Sequence, residues 1–181
     1  FVTLEGGVSS RAGLVYKGTA KSATAADITR TIDCVFSTSQ PYVLEFGNLY
    51  IRFWLNGVQV TFSAPSAWAD ATPYTIGDLV SYSGTNYLCI ATHTSVQATD
   101  RPTEGSSWTT KWYAQTGVIL EWPTLYVTAD LFRIQYRHPD ESSVVFVHPS
   151  YATKRLTRVS ATNWNLQTMV LASDVGTPAN F

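Results

Sequence analysis

Apolar and polar positions alternate along both ends of the chain, and the alternation lapses in the middle. The runs "GLVYKG" (13–18), "RTIDCVF" (30–36), "PYVLEF" (41–46), "NLYIRFWL" (48–55) and "VQVTF" (58–62) each read as a half-buried strand. In "YIRFWL" the side chains of Ile51, Phe53 and Leu55 share one face, and those of Tyr50, Arg52 and Trp54 share the other. Gly47-Asn48 and Asn56-Gly57 separate the last three runs. Asn-Gly between alternating runs predicts a tight hairpin, since both central residues of a type I′ turn need positive φ. The same texture returns from "GVILEWPTLY" (117–126) through "FRIQYRH" (132–138), "SSVVFVHP" (142–149), "KRLTRV" (154–159) and "WNLQTMVLA" (164–172), with one short helix expected over 123–131. These runs predict an all-β protein, an antiparallel domain of sandwich or barrel type.

Between the two strand-rich ends the pattern changes at "SAPSAWADATP" (63–73). Trp68, Trp108 and Trp112 follow, together with Tyr74, Tyr82, Tyr87 and Tyr113. A unit of about 50 residues cannot build a large aliphatic core and needs a few large rings instead. The expected organisation is one β domain, residues 1–64 plus 116–181, interrupted by a separate aromatic-cored insert, 65–115. Trp68, Tyr82, Tyr87 and Trp108 are its expected core, reached by two side-by-side linkers. Such a unit should be removable without unfolding its host.

Composition sharpens this reading. Charged residues are 14% of the chain and aromatics 13%, which suits pleated surfaces. A net charge of −1 gives no electrostatic footprint for nucleic acid or an anionic membrane, and no apolar run is long enough to predict membrane insertion. The first residues show no basic region followed by an apolar stretch. The chain starts at Phe1 and stops in mid-pattern, as a piece of a longer polypeptide would. Cys34 and Cys89 lie in apolar runs and read as buried free thiols.

Candidate chemistry is sparse. His93, His138 and His148 sit in separate segments without Cys or carboxylate at ligand offsets, so neither a metal nor another cofactor is expected. No phosphate loop, nucleophile elbow or zinc-protease motif occurs. Asp140 and Glu141 in "HPDESS" read as a solvated turn rather than a glycosidase pair, and no enzymatic activity is expected.

Two resemblances carry function. Ala67-Trp68, Tyr74, Gly77-Asp78, Val80, Tyr82, Gly84, Tyr87, Cys89, His93-Thr94-Ser95, Pro102 and Trp108 make residues 67–108 similar to the small chitin- and cellulose-binding modules of bacterial chitinases and cellulases. That resemblance implies sugar binding through exposed rings after the central strand or in the loop before the proline. Here those places read Ile90-Ala91-Thr92 and "VQATDRP" (96–102), without an aromatic, so stacking of the usual kind and chitin retention are not expected. Thr99, Asp100 and Arg101 in that loop are the candidate carbohydrate or partner face.

The flanking text resembles the tubular or nozzle tail proteins of short-tailed bacteriophages and their prophage relatives. The matching runs are "GGVSSRAGLVYKG" (6–18), "DCVFSTSQPYVLEFGNLYIRFWLNG" (33–57) and "WPTLYVTADLFRIQYRHPDESSVVFVHPSYATKRLTRVSATNW" (122–164). This second resemblance implies a structural protein of the virion, a homo-oligomeric ring (a hexamer) joined to tail adaptor and portal proteins. DNA would pass through its channel without specific binding, and the insert would be a decoration touching host surface polysaccharide weakly. Tyr50, Arg52 and Trp54 are then candidate subunit-interface residues. The other setting is a carbohydrate-binding accessory region of a secreted polysaccharide-degrading enzyme.

Overall fold

The computed structural model describes residues 16–21, 28–37 and 40–169. It is an all-β structure built mainly from two antiparallel sheets. The first contains β1 (Arg30–Ser37), β2 (Gln40–Gly47), β3 (Tyr50–Leu55) and the short β4 (Val58–Gln59). Its order is β1-β2-β3-β10, where β10 is Glu121–Pro123 from beyond the insert, and β4 also pairs with β3. The second sheet runs in chain order: β11 (Gln135–Asp140), β12 (Ser143–His148), β13 (Tyr151–Arg158) and β14 (Trp164–Thr168).

Alternation decides which side chains meet between the sheets. Ile51 and Phe53 are fully buried in a core shared with Ile32, Leu44, Phe46, Val144, Phe146, Leu156 and Trp164. Phe53 stacks on Trp164 with ring centroids 4.5 Å apart, and Phe46 meets Phe146 edge to face at 5.1 Å. Cys34 is free within this core, where burial pushes its thiol pKa up to about 12.

The hairpin at Asn56-Gly57 has positive φ at both residues (52° and 76°), as the Asn-Gly signal requires. The preceding two-residue loop is Asn48-Leu49 rather than Gly47-Asn48, because Gly47 still pairs with Tyr50. The expected helix over 123–131 is instead a 3-10 turn at Thr128–Arg133. Pro123 ends β10; the Thr124 amide then donates to the Leu49 carbonyl and the Leu49 amide donates to the Tyr126 carbonyl, which keeps this stretch extended. Residues 13–15 of the first predicted strand and 170–172 of the last lie outside the described residues; 16–18 form no strand.

The outer face of the first sheet is polar yet covered. Register sets Glu45 opposite Arg52 and Arg52 opposite Glu121, a row of alternating charge across β2, β3 and β10. Arg52 Nε donates to Glu121 at 2.9 Å, Lys21 Nζ donates to the same carboxylate at 2.6 Å, and the Tyr50 hydroxyl and Trp54 indole donate to Glu45 at 2.9 and 2.8 Å. Tyr50, Arg52 and Trp54, named above as candidate subunit-interface residues, make these contacts within the chain. Tyr50 and Arg52 are buried and Trp54 half-buried.

The insert enters and leaves through paired chain. Thr61 bridges antiparallel to Ile119, and the Phe62 amide donates to the Val118 carbonyl. It contains a two-stranded sheet, β5 (Pro73–Tyr74) with β8 (His93–Thr94), and a three-stranded sheet, β6 (Leu79–Tyr82), β7 (Thr85–Cys89) and β9 (Trp112–Gln115) in the order β6-β7-β9. Its own core is Tyr74, Val80, Tyr87, Cys89 and Trp112, with Trp68, Tyr82 and Trp108 only partly buried against it.

The sequence leads one to expect a detached unit, and the packing differs. Leu88 is fully buried in the sandwich core, and Ile76, Leu79 and Ile90 pack against that core as well. Gly77, at φ +98°, lets the backbone approach Asn163 and Trp164 so closely that a Cβ would stand 2.9 Å from the Trp164 carbonyl oxygen. On β9 the Tyr113 hydroxyl donates to Glu121 at 2.6 Å, and Gln115 exchanges two hydrogen bonds with the Glu121 backbone. Removing 66–115 would uncover this apolar surface, so the excision expected above to be harmless should destabilise the sandwich.

Burial alone would raise the Glu121 pKa; the hydrogen bonds from Lys21 and Tyr113 and the Lys21 charge outweigh it and hold the carboxyl below 4.5. A depressed folded-state value contributes stability that is present above the unfolded value and lost as pH falls through the folded one. Denaturant unfolding measured from pH 6 downward should thus show stability falling below about pH 4.5, with a shallower fall in Glu121→Gln. Arg52→Met removes one buried donor from Glu121 while Lys21 and Tyr113 still pair with it, and should cost about 1–3 kcal/mol at neutral pH.

Candidate carbohydrate-binding face

The β6–β7 hairpin turns at Ser83-Gly84, both at positive φ (48° and 78°). This tight turn sets Tyr82 at the end of β6, beside the incoming chain. Ala67 pairs in parallel with Ser81, and the Trp68 amide donates to the Ser81 carbonyl at 2.8 Å. Trp68 and Tyr82 thereby meet edge to face, 6.2 Å between centroids, and both are partly buried against the insert's core.

The loop after β8 brings charge to these rings. A single helical turn, Gln97–Asp100, ends at Arg101, whose guanidinium lies 5.6 Å from the Trp68 ring centroid and 5.8 Å from that of Tyr82. Arg101 donates to Glu104 at 2.7 Å, and Glu104 also accepts the Tyr82 hydroxyl. That hydroxyl bond is the main cause of the lowered Glu104 pKa, and the Glu104 bond is the main cause of the raised Tyr82 and Arg101 values. The result is a corner of two rings, one cation and one anion, a set able to stack on an apolar ring face while donating to and accepting from hydroxyls.

The three candidate loop residues divide. Asp100 is buried, and both its oxygens accept the Val96 amide at 2.9 Å, so it closes its own loop. Thr99 is exposed; its hydroxyl bonds back to the Val96 carbonyl. Arg101 alone joins the rings. Trp68, Tyr82 and Glu104 were missing from the candidates, because the sequence directs attention to rings within the loops whereas these lie on the entry segment, β6 and the next turn. The signal was Arg101-x-x-Glu104, a pair at i,i+3 spacing, while Trp68 and Tyr82 read as core rings.

A second cluster has the residue types of a thiol triad but not its chemistry. Cys89 Sγ lies 3.9 Å from His93 Nδ1, and His93 Nε2 lies 3.9 Å from Asp100. Nδ1 is already engaged with the Ala91 carbonyl at 2.7 Å, which as an acceptor requires a proton there. It cannot also take one from sulfur. Burial pushes the Cys89 thiol up to about 11. His148 is likewise local: its Nδ1 accepts the Ser150 amide at 3.0 Å in the β12–β13 turn. Asp140 accepts from the Ser142 amide and from the Ser142 and Ser143 hydroxyls, and pairs with Arg155. It serves the turn, and these bonds hold its pKa at about 2. Among the described residues no group of three or more His, Cys, Asp or Glu is placed to hold a metal ion.

Residues 67–112 match carbohydrate-binding module family 5/12. All four corner residues fall inside this segment, about a quarter of the chain. No curated protein matches the chain, and the tail-protein resemblance of the flanking segments finds no support in these comparisons.

Two measurements test the site chemistry. Iodoacetamide at pH 8 should leave Cys34 and Cys89 unmodified in the native protein and alkylate both after unfolding, as mass spectrometry would show. Asp100→Ala frees the Val96 amide and should cost about 1–3 kcal/mol, with hydrogen exchange accelerated over 96–107.

Proposed function

We propose that this chain is a carbohydrate-binding region whose working face is the corner of Trp68, Tyr82, Arg101 and Glu104, carried on a β-sandwich. The observation that carries the reading is the family match over 67–112 with this partly exposed pair of rings inside it. The sugar would lie against Trp68 and Tyr82, with hydroxyls bonded to the guanidinium and carboxylate. Of the two settings considered, an accessory region of a secreted polysaccharide-degrading enzyme suits a carbohydrate-binding match better than a virion component does.

A second reading keeps the tail-ring role, with copies of this chain, adaptor and portal as partners. It is favoured by three exposed apolar side chains on one short stretch, Leu125, Val127 and Phe132, at 58%, 40% and 66% exposure. Such a stretch suits contact between subunits. Mass measurement in solution separates the readings, since a discrete ring supports the second and a monomer weighs against it.

Retention on chitin and on cellulose beads tests the first. The intact protein should bind at least one of them, and Tyr82→Ala and Arg101→Ala should each weaken binding about tenfold, or about 1.4 kcal/mol. Failure to bind either polysaccharide, or binding indifferent to both substitutions, would refute the corner as the sugar face.

A further inference from the structure

A cleft of about 270 Å³ lies where the insert meets the sandwich. Trp122 and Tyr126 from the chain after the insert, Tyr151 from β13, Leu166 from β14 and Ile90 from the insert form its walls. Ile90 is the insert's one contribution to the lining; the rest belongs to the host domain. An apolar cavity of about 150 Å³ accommodates one benzene ring, and drug-sized sites begin at about 300 Å³, so this space suits one small molecule with a single or fused ring.

The walls also specify polarity. Lys154 is the one charged residue lining the cleft, and no carboxylate among the described residues pairs with it. Its ammonium group donates to the Thr168 hydroxyl at 2.6 Å, which tethers the charge and leaves further donor capacity. A sugar, with hydroxyls around its whole rim, matches this mostly apolar lining poorly. A compact apolar body with one negative charge matches it well.

We propose that the cleft binds a small apolar monocarboxylate, aromatic or branched aliphatic, with its body between Trp122, Tyr126 and Leu166 and its carboxylate on Lys154. An apolar acid gains from burying its ring, and the carboxylate gains a charge-assisted hydrogen bond at the edge, where its desolvation is incomplete. The site is independent of the Trp68–Tyr82 corner and does not rest on sugar binding.

Calorimetric titration of the intact protein with 1-naphthoate, and separately with neutral 1-naphthalenemethanol, tests this. Naphthoate should bind. Lys154→Met, which keeps the apolar stem, should weaken naphthoate at least tenfold while changing naphthalenemethanol less than twofold. Leu166→Trp, which fills the cleft, should remove both; should that variant fail to fold, Ile90→Trp narrows the cleft from the opposite wall. No binding of naphthoate to the wild type overturns the proposal. So does naphthoate binding that Lys154→Met leaves unchanged, or that persists in a folded filled variant.

Discussion

The buried pairing of Arg52 with Glu121 is the constraint on which the rest of the structure depends. Two charges taken out of water give back their desolvation cost only if every lone pair and proton finds a partner. Glu121 meets that condition by drawing Lys21 from the N-terminal segment, Arg52 from β3 and Tyr113 from the insert onto one carboxylate. Three parts of the chain distant in sequence are fixed by one group. The pair also protects register, since a one-residue slip of β3 would drive Arg52 into the aromatic core and expose Phe53.

The two cores divide the remaining labour. The sandwich core is large and mixed, with Phe53 stacked on Trp164 at its centre. The insert's core is small and mostly aromatic, and it borrows burial from its host through Leu88. Successive residues Tyr87, Leu88 and Cys89 on β7 thus face two different interiors. The strand is buried on both faces although its sheet has only three members.

Period-two alternation made the sandwich legible in the sequence: Ile51, Phe53 and the Asn56-Gly57 turn lie where the pattern put them. The interior of the insert was only partly legible. Trp68, Tyr82 and Trp108 look like core residues by size, but Tyr74, Val80 and Trp112 hold the centre. Ring count says how much a small unit can bury, not which rings face inward. The junction was not legible, because Ile76, Leu79, Leu88 and Ile90 read equally well as the insert's own interior; pattern gives a strand two faces without saying what covers each. The proposed sugar face was missed for a related reason. Its rings belong to an edge where strand and entry segment meet, and only the fold brings Arg101 to them.

The contact at Gly77 bears on the portability of the insert. A free-standing binding cassette can be moved between proteins because its outer surface makes no demands on its neighbour. Here the backbone of Gly77 lies against Asn163 and Trp164, and Leu88 occupies a socket in another hydrophobic core. Transplanted elsewhere, the segment would carry a bare leucine and an unfilled glycine notch on its surface. In return, a docked module has a fixed orientation. Its corner points in one direction relative to the sandwich, so any ligand held at the proposed face would be presented at a set angle rather than on a swinging tether.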